Sequence, residues 1–354
     1  MNAQVTRTRA RSPSLPALVS PRVSVVVTNY NYGRFLVQAL TSAVTQTYPC
    51  EVIVVDDGSS DESSDVLARW EDRVTVIKKA NGGQYSAYNA GFAASSGDIV
   101  FFLDADDWLY PDTVELVVSV FQEGVSKVHF YLDLVDQHGE KLGASVPSTL
   151  AQGEVASRML RHGILYTSAP GSGNAYRRST LLSLFPLPEP PTDVTCADFF
   201  TIFGSGLLGM VAALPTAQGA YRVHTAAASS ELVFGNGAQR TEERSKLLRR
   251  VQLFRAWMRE RTGMLVPELD NFAQMKTYFA AELLERAYLG RLGAGAAALP
   301  ELFRALWWHR EYSLEKKLGL SAWCLFLTCA PAPMARPIAR YVTNPSSRGR
   351  RIAC

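Results

Sequence analysis

The sequence predicts an α/β fold: a mostly parallel sheet flanked by helices, followed by a helical C-terminal region. Three observations predict it. Four apolar runs of strand length recur at residues 23–30, 51–58, 74–79 and 98–107. A helix-forming segment separates each run from the next. From about residue 238 these runs cease, and segments such as "RTEERSKLLRRVQLFRAWMRERTG" carry helical periodicity instead.

The elements justify themselves in order. "VSVVVTNY" is valine-rich throughout, as a strand covered on both faces should be. "FLVQALTSAVTQ" places Phe35, Leu36, Ala39, Leu40, Ala43 and Val44 on one helical face, and Tyr48-Pro49 ends it. "EVIVVDDG" is the second strand. Ser59 and Glu62 have the spacing of a capping box, and Asp61 and Glu62 suit the positive end of a helix carrying Val66, Leu67 and Trp70. "VTVIKK" is the third strand, "NGGQYSAYNAGFAASSG" a turn and a small-residue helix, and "DIVFFLDADD" the fourth strand. Strands and helices in alternation imply parallel strands joined by right-handed crossovers. Beyond, residues 112–123 read as a helix, 127–136 as an alternating strand, and 158–224 as mixed short elements. The expected organisation is a disordered arm at 1–21, a catalytic domain at 22–235 and a helical region with a basic tail at 236–354.

Charge narrows the function classes. The net charge of +3 hides five arginines and no acid in residues 1–50, and seven bases and no acid in residues 316–354. Without those twelve bases, residues 51–315 carry −9. An acidic body argues against nucleic acid as a partner. Basic ends suit either solvated tails or an anionic membrane surface. Five scattered cysteines without a CxxC suggest reduced thiols in the cytoplasm and no zinc. No signal peptide is apparent. The apolar stretch at 318–335 is interrupted by Pro331 and Pro333, which suggests a buried or interfacial helix and not a spanning one. Trp307, Trp308 and Trp323 with neighbouring Arg and Lys fit the same two alternatives, packing or peripheral contact at the inner face of the plasma membrane.

Two strands end in carboxylates: Asp56-Asp57 and Asp104-Ala105-Asp106-Asp107. In an open parallel sheet, ligands bind beyond the carboxyl ends of the strands, where strand order reverses. Both acidic ends therefore share one edge. Three acids within four residues repel one another unless a cation intervenes, and hard carboxylate oxygens suit Mg²⁺ or Mn²⁺. Helix capping is the plainer use for such acids, and Asp112 already serves it. Asp56-Asp57-Gly58 suits contact with a base N–H or a ribose hydroxyl, or helix capping through Asp57 or Ser59. No GxGxxG follows the first strand, and no GxxxxGK[ST] occurs. The usual phosphate cradles are thus missing, and a metal would take over that role.

The stretches "VSVVVTNYNYGRFLVQALTSAVTQTYP", "EVIVVDDGSSD" and "NGGQYSAYNAGFAASSGDIVFFLDADDWL" resemble the nucleotide-binding half of family-2 glycosyltransferases of bacterial type, with the GT-A, Rossmann-like fold. The resemblance is close over 22–115 and extends more weakly to about 228. It implies inverting transfer of a sugar from a nucleotide diphosphate sugar, with UDP as the expected nucleotide, to a hydroxyl of a saccharide or lipid-linked acceptor in cell-envelope polysaccharide synthesis. It implies that Thr28 and Tyr30 line the nucleobase pocket and that Asp57 binds the base with Asp56 beside it. Asn81, Gly83, Gln84 and Asn89 would approach the nucleotide or donor sugar. Asp104, Ala105 and Asp106 match the DxD motif, extended by Asp107. A metal would use Asp106, Asp107 and, through the late "YRVH" segment, His224. The general base would be Asp198 in "TCADFF", where Ala197 stands in place of the family's glutamate, or else Asp193. Loss of that glutamate also leaves room for an inactive nucleotide-sugar-binding module.

Overall fold

The computed structural model describes residues 15–190, 194–225, 232–233, 243–269, 272–284, 286, 288–309 and 311–343. The parallel half of the sheet comprises β1 (Val23–Asn29), β2 (Glu51–Asp56), β3 (Thr75–Lys78) and β4 (Ile99–Asp104). Helices α1 (Gly33–Val44), α2 (Ser63–Ala68) and α3 (Gly83–Ala94) connect them. The order β3-β2-β1-β4 reverses between β1 and β4. Register pairs Asn29 with Asp56 and Thr28 with Asp104, so both acidic strand ends reach one rim.

The second half is mixed. It contains β5 (Trp108–Leu109), α4 (Thr113–Val120), β6 (Val125–Val135), β7 (Lys141–Val146) and α5 (Ala156–His162). Next come β8 (Asn174–Arg177), α6 (Arg178–Leu184), α7 (Ala197–Leu208) and β9 (Met210–Arg222), then two-residue β10 (His224–Thr225) and β11 (Leu232–Val233). β8 runs antiparallel between β4 and β6, β6 pairs parallel with β9, and β9 pairs antiparallel with β5. The parallel β6–β9 pairing carries the late "AYRV" residues beside Asp133 to Val135.

Apolar clusters cover both faces of the sheet. Val25, Val27, Val54, Phe101 and Leu103 pack on α1 and α4 residues such as Leu36, Leu40, Val114 and Val117. Val26, Ile53, Val55, Val100 and Phe102 face α3 and α7. Burying one such side chain contributes about 1.5–3 kcal/mol. α3 lies so close to β1 that a Cβ on Gly91 would sit 2.2 Å from Val26 Cγ1.

The helical region comprises α8 (Glu243–Thr262), α9 (Phe272–Leu284), α10 (Tyr288–Trp308), α11 (Leu314–Cys329) and α12 (Ala332–Thr343). The expected boundary near 235 falls outside the described residues, as do the arm to residue 14 and the tail from 344. On either side of the boundary the core is continuous: Phe254 and Trp257 of α8 meet Phe200 of α7 edge-on at 5.6 and 5.1 Å. Phe199 and Phe200 are thus core residues. The run at 318–335 divides into α11 and α12, with Cys324 and Leu327 buried and Leu325 exposed. Trp323 packs against the core, whereas Trp307 and Trp308 are exposed. Among the described residues no helix is long and apolar enough to cross a membrane.

One local expectation needs correction. The Ser59–Glu62 capping box does not form. Ser59 Oγ donates to Asp56 Oδ1 at 2.5 Å, and Asp61 Oδ1 instead accepts from the Ser63 amide at 3.0 Å. A nearby carboxylate of β2 outcompetes the helix terminus for that hydroxyl. The alternating run at 127–136 forms β6, as its pattern predicts. Lys127 and His129 are fully buried, because α7 and residues 166–168 cover that side of β6.

Candidate active site

Each wall of the rim is built by a different strand end. At the β2 end Asp57 is buried, and the chain itself fills its carboxylate. Oδ1 accepts from Lys79 Nζ at 2.6 Å and the Gly82 amide at 3.0 Å, and Oδ2 accepts from the Gly83 amide at 2.7 Å. The N-terminus of α3 and the end of β3 therefore hold it rigidly. Asp56 accepts from Asn29 Nδ2 at 2.8 Å as well as from Ser59. Gly58, at φ +78°, lets backbone approach closely, but the neighbour is the chain: a Cβ there would lie 2.7 Å from the Asn81 amide. Tyr30 stands exposed on the same rim, and Asn81 Oδ1 accepts from the Gly83 amide at 3.2 Å.

The β4 end is its electrostatic opposite. Asp104 Oδ1 has two long contacts, with Thr28 Oγ1 at 3.4 Å and Gln84 Nε2 at 3.5 Å. Burial, then Asp106 and Asp198, push its carboxyl up to about 7. Ala105 is buried, its amide donating to the Thr28 carbonyl at 3.1 Å, so the turn projects Asp106 outward. Asp106 Oδ2 meets His224 Nε2 at 2.7 Å, and the imidazole lies among Tyr32 and Phe35, each ring centroid 5.6 Å away. Asp107 points inward. It is buried, accepts from the Arg222 amide at 2.9 Å, and is held well above the usual carboxylate range by burial and by Asp106 and Asp104.

The structure thus brings Thr28, Gln84, Asp104, Asp106, Asp198 and His224 to one wall and Asp56, Asp57, Asn81 and Gly83 to the other. Asn89 does neither. Its amide binds the Leu187 carbonyl and Glu189 and accepts from the Leu187 amide, tying α3 to residues 187–189. Asp198 begins α7, which Gln84 places by accepting from the Ala197 amide at 2.8 Å. Burial raises the Asp198 carboxyl, and Arg250 of α8 and Lys127 of β6 partly offset that. Asp193 lies outside the described residues.

Sequence reasoning missed several contributors. Lys79 balances Asp57. Arg222 fastens the rim loops, giving hydrogen bonds to the carbonyls of Asp106, Asp136 and Gln137 and to Gln38. Ser172, buried within the Gly171–Gly173 turn, accepts from the Asp104 amide at 3.1 Å. All are 22 or more residues from their partners. The one usable signal was "YRVH", in which the residue two before His224 is an arginine at the end of a strand.

The donor set suits a hard divalent ion held in part. Among the described residues no three His, Cys, Asp or Glu side chains assemble a site by themselves. Asp106 with His224 offers one or two ligands on an otherwise acid-crowded wall, and magnesium-type sites commonly complete their shell with phosphate oxygens and water. Asp107 is turned away from that position.

Comparison with known proteins places the fold. Residues 24–181 match the family model described as "Glycosyl transferase family 2". An uncharacterized glycosyltransferase of Nostoc sp. is 38% identical over 212 residues, covering 58% of this chain and 66% of that protein. An undecaprenyl-phosphate 4-deoxy-4-formamido-L-arabinose transferase of Serratia proteamaculans is 40% identical over 116 residues, covering 30% of this chain and 36% of that protein. The matched region therefore spans 66% or less of these curated relatives. S. aureus TarS residues 1–349, solved with UDP-GlcNAc, aligns over 93% of this chain and 92% of its own with a TM-score of 0.53 and 16% identity, a likeness of fold.

Proposed function

The chain belongs to glycosyltransferase family 2, and from that premise we propose that its acidic rim moves a sugar from a nucleotide diphosphate sugar to an acceptor hydroxyl, with inversion at the anomeric carbon. The observation that carries this reading is the register of β1 with β2 and β4, which faces Asp57 and Asp104–Asp106 across one cleft edge. UDP is the nucleotide we assign, in keeping with the ligand of the TarS structure. The acceptor is a saccharide or lipid-linked hydroxyl. The lipid-phosphate substrate in the name of the Serratia relative supports the latter.

Asp57 and the Asn81–Gly83 turn hold the nucleoside end. Thr28 and Gln84 orient Asp104 toward the ribose and diphosphate, and His224 fixes Asp106. These two residues would hold Mg²⁺ or Mn²⁺, which supplies Lewis-acid charge to the diphosphate leaving group. The acceptor oxygen attacks the anomeric carbon from the face opposite the diphosphate. One C–O bond forms as the C–O bond to the diphosphate breaks. Asp198 takes the acceptor's proton, and its buried site raises its proton affinity for that task. Asp193 is the rival base.

We further assign the protein to the cytoplasmic face of the membrane, held peripherally. Exposed Trp307, Trp308, Leu314 and Leu318 stand beside Lys316 and Lys317 on α10 and α11. Flotation with anionic liposomes tests this, and a protein that stays at the bottom of the gradient would refute it.

The function itself is tested with a panel of nucleotide sugars in Mg²⁺ and Mn²⁺, reading thermal shift and released nucleotide. Metal-dependent release from a UDP-sugar is expected. Thermal shift without any release, across a panel of acceptors, would leave a binding module in place of an enzyme.

A further inference from the structure

Tyr88 stands on the inner face of α3, and its aromatic ring lies flat on Phe102 at 4.1 Å and 7°. The side chain is 1% exposed. Its hydroxyl is buried and has no hydrogen-bond partner among the described residues. Phenylalanine would make the same stack without burying a bare donor, so the hydroxyl is a net loss to the resting fold.

The hydroxyl does not lie among apolar side chains. A methyl on Gly171 would sit 3.5 Å from Tyr88 Oη, 3.5 Å from Asp104 Oδ2 and 3.6 Å from Asp198 Cβ. Three groups that belong to β4, α3 and α7 therefore converge on one point, left open because residue 171 is glycine. Around it, Asp104 faces Asp106, Asp198, Thr28 and Gln84. Asp198 faces Arg250, Lys127 and Asp104, and Tyr88 also faces Tyr176 and Cys196. Asp104 Oδ1 already receives Thr28 and Gln84, whereas Oδ2 faces the open point.

We propose that Tyr88 is a positioning residue: its hydroxyl donates to Asp104 Oδ2 when substrate closes the site, and so fixes that carboxylate relative to neighbouring Asp198. This rests on the transferase reading above. The stacked ring is fixed in place, so the Asp104 carboxylate comes to the hydroxyl. A phenol donating across this point sets the separation between the acid nearest the diphosphate and the base nearest the acceptor. Misplacing a reacting group by about 1 Å can lower a rate a hundredfold.

The test is Tyr88→Phe in the full chain. Turnover should fall about ten- to a hundredfold, with donor KM within about twofold and a melting temperature equal to or above the parent's. Turnover within twofold of the parent, or a loss of turnover accompanied by a lower melting temperature, would overturn the proposal. A second arm needs no activity, so it separates this idea from failure of the transferase reading. In protein labelled with ζ-¹³C-tyrosine, the resonance missing from Tyr88→Phe belongs to Tyr88. It should move in Asp104→Asn or Asp198→Asn when UDP and Mg²⁺ are added, relative to the parent under the same conditions. An unmoved resonance in both variants refutes the hydrogen bond, whether or not any sugar is transferred.

Discussion

The two acidic strand ends look alike in sequence and differ in what the chain does for them. β2 ends in Asp57, which receives one ammonium and two amides. β4 leads into Asp104, Asp106 and Asp107, where like charges crowd together and, among the described residues, His224 meets Asp106 while the Arg222 guanidinium is spent largely on carbonyls. The contrast teaches that a buried carboxylate satisfied by its own protein is a fixed acceptor, preset for a neutral or donor group of a ligand. One crowded by like charges is unfinished, and what completes it must bring positive charge.

Breaking the unfinished wall should have the largest effect. Asp106→Asn removes the outward carboxylate that His224 holds, and transfer should fall about a thousandfold or more, since removing electrostatic stabilisation of a leaving group is costly. Melting temperature should stay within a degree or two of the parent's, and nucleotide release with Mg²⁺ or Mn²⁺ measures the loss. Near-parental release would mean that Asp106 serves only the fold.

Breaking the finished wall should instead cost stability. Asp57→Asn leaves Lys79 charged and half-buried with no carboxylate, and about 3 kcal/mol of destabilisation is expected from denaturant melts. If Asp57→Asn melts like the parent, the internal donors around it are not what fixes it.

Asp104 sharpens the comparison through pH. Its carboxyl is held up to about 7 in the fold, above the ordinary 3.8. A raised acid favours the protonated fold, so the penalty is absent below about pH 4, grows between 4 and 7, and is complete above 7. Asp104→Asn should therefore gain stability at pH 8, by at most about 4 kcal/mol, and gain little at pH 4. Equal gains at both values would show that the benefit is not electrostatic. By the same sign, transfer by the parent should decline on the acid side, where Asp198 becomes protonated.

The smallest effect should come from Ser59→Ala. The hydroxyl serves Asp56 and not the helix terminus, so a loss of about 1 kcal/mol is expected. Hydrogen exchange should quicken at the Asn31 amide, which donates to Ser59 Oγ, while α2 stays protected. Faster exchange in α2 would restore the capping box.

The same contrast explains how far the sequence could be read. The parallel half was legible because β1, β2 and β4 are covered on both faces, so their valines and phenylalanines run unbroken and their acids mark the exit. Asp56, Asp57, Asp104 and Asp106 could be placed on one edge from that pattern alone. The local competition at Ser59 was not legible, since it turns on a three-dimensional choice between two nearby acceptors. Lys127 and His129 read as one face of an alternating strand, because their cover comes from residues 166–168 and α7. Arg222, Ser172 and Arg250 reach the site across 68 or more residues or from another region of the chain. No local period encodes such contacts. Asn89 fitted a binding motif by position, yet its amide is taken up by residues 187–189. A motif gives the place of a side chain along an element and not what it will meet.

The most direct test is a calorimetric titration of the full chain with UDP, with and without Mn²⁺, repeated on Asp106→Asn and Asp57→Asn folded under native conditions. Binding to the parent should strengthen at least tenfold with Mn²⁺, lose that enhancement in Asp106→Asn, and weaken with and without metal in Asp57→Asn. UDP binding that is indifferent to Mn²⁺ in the parent, or that is the same in all three proteins, would contradict a shared rim with one finished and one unfinished wall.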